Sequence, residues 1–281
     1  LEELNVHPDF EVQGIDNCDS HIDYIHRQTE TEDIYFVSNS SPKKEKVTCV
    51  FRVDKNRVPE LWDAETGLIQ RDVEFSKVEN GISIELIMDP LASRFVVFTS
   101  NSTGENDAGL TYDLQYGFQG ESIKPIDITD NWDISFNTEM GGPKTYQLEK
   151  LISWTDSDNQ GVRYYSGSAK YSRDFSISEE TLSEETEAFV RFEDIQEMAR
   201  IFDCGFVWTP PYKARITPYL KVGTNKITVH VINTWNNRIV GDLMNPNKKP
   251  FTNTNAKNKF SKNSALLKSG LIGKAEIFFA K

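Results

Sequence analysis

The sequence predicts an all-β protein built from two stacked-sheet units of sandwich or jelly-roll type. Three observations predict it. Runs rich in Val, Ile, Phe, Tyr and Thr recur about every dozen residues; several alternate apolar and polar positions; and Gly, Asn and Pro turns separate them. At 281 residues the chain exceeds the usual size of one hydrophobic core, so two cores are expected.

In order along the chain, the expected strands include residues 33–37, 47–53, 82–88 and 94–99. Period-2 alternation is clearest in Ser83-Ile84-Glu85-Leu86 and in Lys226-Ile227-Thr228-Val229-His230-Val231, so these strands bury one face. Asn80-Gly81, Thr66-Gly67, Gly141-Gly142-Pro143 and Val222-Gly223-Thr224-Asn225 read as turns. Residues 183–198 are the strongest helical candidate, yet the alternation of Ala188, Val190 and Phe192 fits a strand equally well. Nothing resembles the repeated strand–helix alternation of an α/β barrel. The stretch 101–130 is rich in Gly, Asn, Asp and Ser and is expected to link one unit at 1–100 to a second at 131–281. Residues 245–264 read as an exposed, mobile polar excursion.

Composition narrows the function classes. A formal charge of −12 argues against nucleic acid, which requires clustered Lys and Arg. No apolar run approaches the roughly 20 residues of a membrane helix, and the opening Leu1-Glu2-Glu3 looks like the edge of a larger protein. Cys18, Cys49 and Cys204 are too few and too far apart for a disulfide framework or zinc knuckle. Buried or unpaired thiols are the main reading, a Cys18–Cys49 pair in an exporting cell the alternative. His7, His21, His26 and His230 show no metal-ligand spacing; His230 reads as a surface residue, and His21 and His26 as ordinary imidazoles ahead of any ligand or base role. Nucleophile elbows and phosphate loops are missing from the sequence. Glycosidic cleavage needs two carboxylates roughly 5 to 10 Å apart, and 43 acidic residues identify no particular pair.

The informative feature is a cluster of aromatics and amides. Trp154, Tyr164, Tyr165, Trp208, Tyr212 and Trp235 fall near expected strand ends and loops, with Asn233, Asn236, Asn237, Arg238 and Asp242 beside the last. Flat aromatic faces pack on the C–H face of a sugar, and amides, Arg and Asp satisfy its hydroxyls. Trp208, Tyr212, Trp235, Asn236, Arg238 and Asp242 are therefore the candidate carbohydrate-binding residues. The competing reading makes Trp208 and Trp235 core or interdomain aromatics, and Arg238–Asp242 an internal ion pair that pins a loop.

Several segments, in order, resemble the C-terminal region of glycoside hydrolase family 106, the α-L-rhamnosidase family. They include Ile22-Asp23-Tyr24-Ile25-His26-Arg27, Asp33-Ile34-Tyr35-Phe36-Val37-Ser38-Asn39, Pro59-Glu60-Leu61-Trp62-Asp63, Ser166-Gly167-Ser168-Ala169-Lys170-Tyr171, Trp208-Thr209-Pro210-Pro211-Tyr212, the run from Asn233-Thr234-Trp235 to Gly241-Asp242, and Ser269-Gly270-Leu271-Ile272-Gly273. The resemblance implies a β-sandwich that follows the family's catalytic barrel, then a galactose-binding-like jelly roll. It implies a secreted or periplasmic enzyme that removes α-L-rhamnose from plant polysaccharide by an inverting, calcium-assisted mechanism. The catalytic glutamates would lie on the barrel, so no catalytic residue is carried over to this chain. The expected partners are a rhamnose-containing polysaccharide and the barrel of the same protein, with no nucleic acid and no membrane span. No cofactor is required, although jelly rolls of this kind often hold a structural calcium ion. One departure is a shortened segment, 199–207, where the family pattern has a longer hairpin.

Overall fold

The computed structural model describes residues 7–13, 21–64, 67–100, 112–113, 117–118, 122–183, 186–202 and 205–280. Cys18, Cys204, Thr66 and most of the expected 101–130 linker lie outside the described residues. The chain divides into two compact units, Leu1–Glu121 and Ser122–Phe279.

The first unit is a β-sandwich. One antiparallel sheet runs Ile22–Gln28, Glu32–Asn39, Ser93–Thr99, Val58–Trp62, Ile69–Gln70. The other runs Phe10–Gln13, Glu45–Phe51, Gly81–Met88, Ser76–Val78. Strict alternation in Glu32–Asn39 buries Asp33, Tyr35, Val37 and Asn39 on one face. Aromatic rings join the sheets: Phe51 meets Tyr35 edge-on at 4.9 Å and Phe98 at 5.1 Å between centroids. Gly81 opens its strand at φ +147, where a β carbon would stand 2.0 Å from the Phe51 carbonyl oxygen, so only glycine fits that turn. The Cys49 thiol is free and buried, and burial pushes its pKa up to about 12.

His26 is a packed imidazole, stacked on Tyr35 at 4.0 Å. Its Nδ1 lies 3.0 Å from Asp9 and its Nε2 3.1 Å from Asp33. Arg57 meets the other Asp33 oxygen at 2.9 Å. A buried carboxylate needs such partners to offset its desolvation, which accounts for His26 without a catalytic role.

The second unit faces a four-stranded sheet, in the order Ser122–Asp127, Gly270–Ala280, Glu187–Gln196, Lys213–Arg215, against a six-stranded one. The larger sheet is ordered Tyr146–Lys150, Asp130–Phe136, Ser168–Ile177, Gly223–Ile232, Met198–Ile201, Phe206–Val207. Trp132 on the larger sheet reaches Phe192 on the smaller at 6.4 Å and Tyr171 at 6.0 Å between centroids. Residues Asn225, Ile227, Val229 and Val231 alternate inward as their pattern predicts.

Two expectations meet a different structure. The helical alternative for 183–198 gives way to strand Glu187–Gln196, because both of its faces are covered: Ala188, Val190 and Phe192 join the core while Phe189 stacks on Phe278 at 5.7 Å. The end of the expected linker, 122–130, is instead part of the second unit. Ile128 is fully buried there and its amide donates to the Ala275 carbonyl. The short 199–207 segment still forms an antiparallel pair, Ala199 opposite Val207.

Phe51→Ala should destabilise the first unit by about 3–5 kcal/mol, the usual result of emptying an aromatic site in a closed core. Urea unfolding followed by near-UV circular dichroism measures this, and an unchanged midpoint would contradict the packing.

Candidate functional site

The site is built where strand Gly223–Ile232 ends. Its Asn233 side chain donates to the Tyr165 carbonyl and the Ser269 hydroxyl, each at 3.0 Å, and accepts from the Gly167 amide at 2.8 Å. Four residues on, buried Asn237 donates to the Leu267 carbonyl at 2.7 Å and to Ser269 at 3.0 Å, and accepts from the Leu267 amide at 2.8 Å. The Arg238 amide donates to the Ser166 hydroxyl at 3.0 Å. Helix Asn236–Met244, which the polar Asn-rich sequence did not announce, is thereby tied to two neighbouring segments.

On one side of this helix lies a cavity of about 700 Å³. Trp235, Phe251, Phe260 and Leu267 supply apolar wall, and Asn236 and Asn253 are among its amides. Trp235 is 55% exposed. Asn236 uses its side-chain nitrogen to donate to the Ala265 carbonyl at 3.1 Å. The combination suits a ligand with an apolar face and a polar edge.

On the other side, Arg238 and Asp242 form a buried ion pair, Nε to Oδ1 at 3.1 Å, one helical turn apart. The remaining Asp242 oxygen accepts from the Thr252 amide at 2.8 Å and its hydroxyl at 2.7 Å. The Arg238 guanidinium stacks over Phe251 at 4.8 Å. These bonds anchor the 245–264 segment at Thr252; most of its described residues are exposed, as the sequence reading of a polar excursion expects, and a 3-10 turn, Asn255–Lys259, lies within it. Burial works to raise the Asp242 carboxyl, but the Thr252 donors, the Phe251 amide and Arg238 together hold it below the ordinary carboxylate range. Burial lowers the Arg238 pKa against the opposing pull of Asp242.

Of the six candidates, Trp235 and Asn236 line the larger cavity, whereas Arg238 and Asp242 line a smaller one of about 230 Å³. Trp208 and Tyr212 line neither. Trp208 is 53% exposed beside the Pro210-Pro211 pair. Half-buried Tyr212 packs on the core, and its carbonyl accepts from the Phe192 amide at 3.0 Å. Trp154 and Tyr165 are core residues, and Tyr164 joins the smaller cavity. Sequence reasoning missed Phe251, Asn253 and Phe260, whose one signal was two isolated phenylalanines in a polar stretch. Among the described residues, no group of three or more His, Cys, Asp or Glu side chains is arranged to hold a metal, so no calcium ligand is assigned. Nor is any described helix long and apolar enough to cross a membrane.

The described residues form an all-β protein of two sandwich-type units, and its likeness is to glycoside hydrolases. Residues 1–77 match the model of glycoside hydrolase family 106, described as α-L-rhamnosidase. The structure of a rhamnosidase from Novosphingobium sp. PP1Y is similar at TM-score 0.82 and 26% identity, over 99% of this chain and 25% of that one. A protein of Formosa agariphila, named as a candidate β-glucuronidase, is 27% identical over 180 residues, or 55% of this chain and 16% of its own length. A Ruminococcus gnavus β-glucuronidase aligns only at TM-score 0.40 and 19% identity, over 61% of this chain and 31% of its own. The family resemblance read from the sequence motifs therefore holds, and this chain spans a quarter or less of the first two relatives.

Because the folded Asp242 pKa is depressed, the pair stabilises the protein fully above the unfolded carboxyl value, about pH 4, and that contribution is lost as pH falls through the lower folded value. Asp242→Asn, which leaves Arg238 buried and unpaired, should cost about 3–5 kcal/mol at neutral pH. Comparing acid-unfolding curves of the two proteins checks both, since the variant's deficit should shrink below pH 4.

Proposed function

We propose that this chain is a non-catalytic accessory β region of a secreted or periplasmic rhamnosidase-like glycoside hydrolase, supporting a catalytic barrel carried elsewhere in the protein. The observation that carries the reading is the match of 99% of the chain to one quarter of a rhamnosidase, by an all-β architecture without barrel-type strand–helix alternation among the described residues. The purified chain should release no rhamnose from an aryl α-L-rhamnoside. Turnover above the buffer rate would overturn the accessory role.

The larger cavity favours a second role, in which the jelly-roll unit holds carbohydrate from a rhamnose-containing plant polysaccharide. Trp235, exposed at its mouth, offers the stacking face, and Asn236 and Asn253 supply amides for hydroxyls. Holding polysaccharide there would raise its concentration near a linked active site. Titration calorimetry with neutral rhamnose-containing oligosaccharides should give binding that Trp235→Ala weakens at least tenfold, with Trp208→Ala unchanged. A flat titration across such oligosaccharides would remove this role.

A further inference from the structure

We propose that the smaller cavity, next to Phe251, is a subsite for the carboxylate of an acidic sugar. The inference deepens the carbohydrate-holding role and rests on it.

Its floor is the Arg238 side chain, which is 7% exposed. Only Nε has a protein acceptor, Asp242 Oδ1; among the described residues the two terminal amino groups hydrogen-bond to no side chain or carbonyl. Those groups are not sealed in, since they border the cavity. A buried guanidinium whose outer edge faces open space is incompletely compensated, and its two parallel N–H groups match a carboxylate in bidentate fashion. Stacking over Phe251 at 4.8 Å holds the group in place from one side. Gly241 clears the space beside it: a β carbon at 241 would stand 2.4 Å from Nη2 and 2.6 Å from Tyr164 Cβ.

The surrounding charge has the right sign. Arg238, Lys248 and Lys249 line the cavity with one carboxylate, Asp242, in a chain whose net charge is −12. The Asp242 oxygens are already engaged, one by Arg238 Nε and the other by Thr252. The arrangement thus presents net positive charge to a ligand. At about 230 Å³ the space takes one sugar ring or its carboxylate end. Phe251 lines both cavities, so an oligosaccharide with a uronate beside a neutral residue would engage the two together.

The test is calorimetry of the whole chain at low ionic strength with methyl β-D-glucuronide and methyl β-D-glucoside, which differ at the carboxylate alone. The glucuronide should bind at least tenfold more tightly, and the preference should fall as salt rises. Lys248→Ala combined with Lys249→Ala alters exposed residues only and should weaken glucuronide binding about threefold or more. Arg238→Gln combined with Asp242→Asn leaves no buried charge behind and should abolish the preference. Equal binding of the two glycosides, or a preference unchanged in both double variants, would overturn the carboxylate subsite even if neutral oligosaccharides bind. No binding of any of these sugars would overturn the subsite together with the carbohydrate-holding role.

Discussion

Everything at the site depends on two asparagine side chains that substitute for backbone pairing where the strands end. Asn233 and Asn237 each bond backbone groups of a distant segment, and both meet the Ser269 hydroxyl. Each amide offers two donors and two acceptor positions, so one side chain fixes both partners of an otherwise unpaired loop. Buried backbone groups outside regular sheets need such partners. Here meeting that need also sets the start of helix Asn236–Met244 and hence the walls on both of its sides.

This explains why the run from Asn233 to Asp242 stood out in the sequence and why its role was only half legible. The residue types suited sugar recognition, and two of them, Trp235 and Asn236, do line the larger cavity. The rest divide by geometry. Arg238 and Asp242 are four residues apart on a helix, a spacing that makes an internal pair the first expectation once the helix is known. The sequence had already offered that internal pair as the competing reading to a ligand role, and the structure forms it. Trp208 and Tyr212 share the chemistry of Trp235 but not its neighbourhood, and composition cannot report distance.

The sheets were far more legible, because alternation is local. Strands Glu32–Asn39, Gly81–Met88 and Gly223–Ile232 all contain the runs expected of them, extended by a residue or more. Glu187–Gln196 was ambiguous for a physical reason: Phe189 and Phe192 are both covered, on opposite faces, so the polar face that distinguishes a half-buried strand is blurred. The 245–264 segment was legible in its exposure, since most of its described residues face solvent as their polarity suggested, but not in its anchor: Thr252 is 5% exposed and bonded to one carboxylate upstream. Polar composition describes side chains, whereas anchoring here comes from a single satisfied acceptor.

Cys49 has a practical consequence. Its thiol sits in the middle strand pairing of the first unit, opposite Ile84, and is fully enclosed. Only the thiolate attacks electrophiles, so this sulfur is silent to alkylating reagents while the sheet is closed and becomes reactive when it opens. At Cys49 the first unit therefore carries a covalent recorder of breathing, read by mass on the Cys49 peptide so that Cys18 and Cys204 are counted apart.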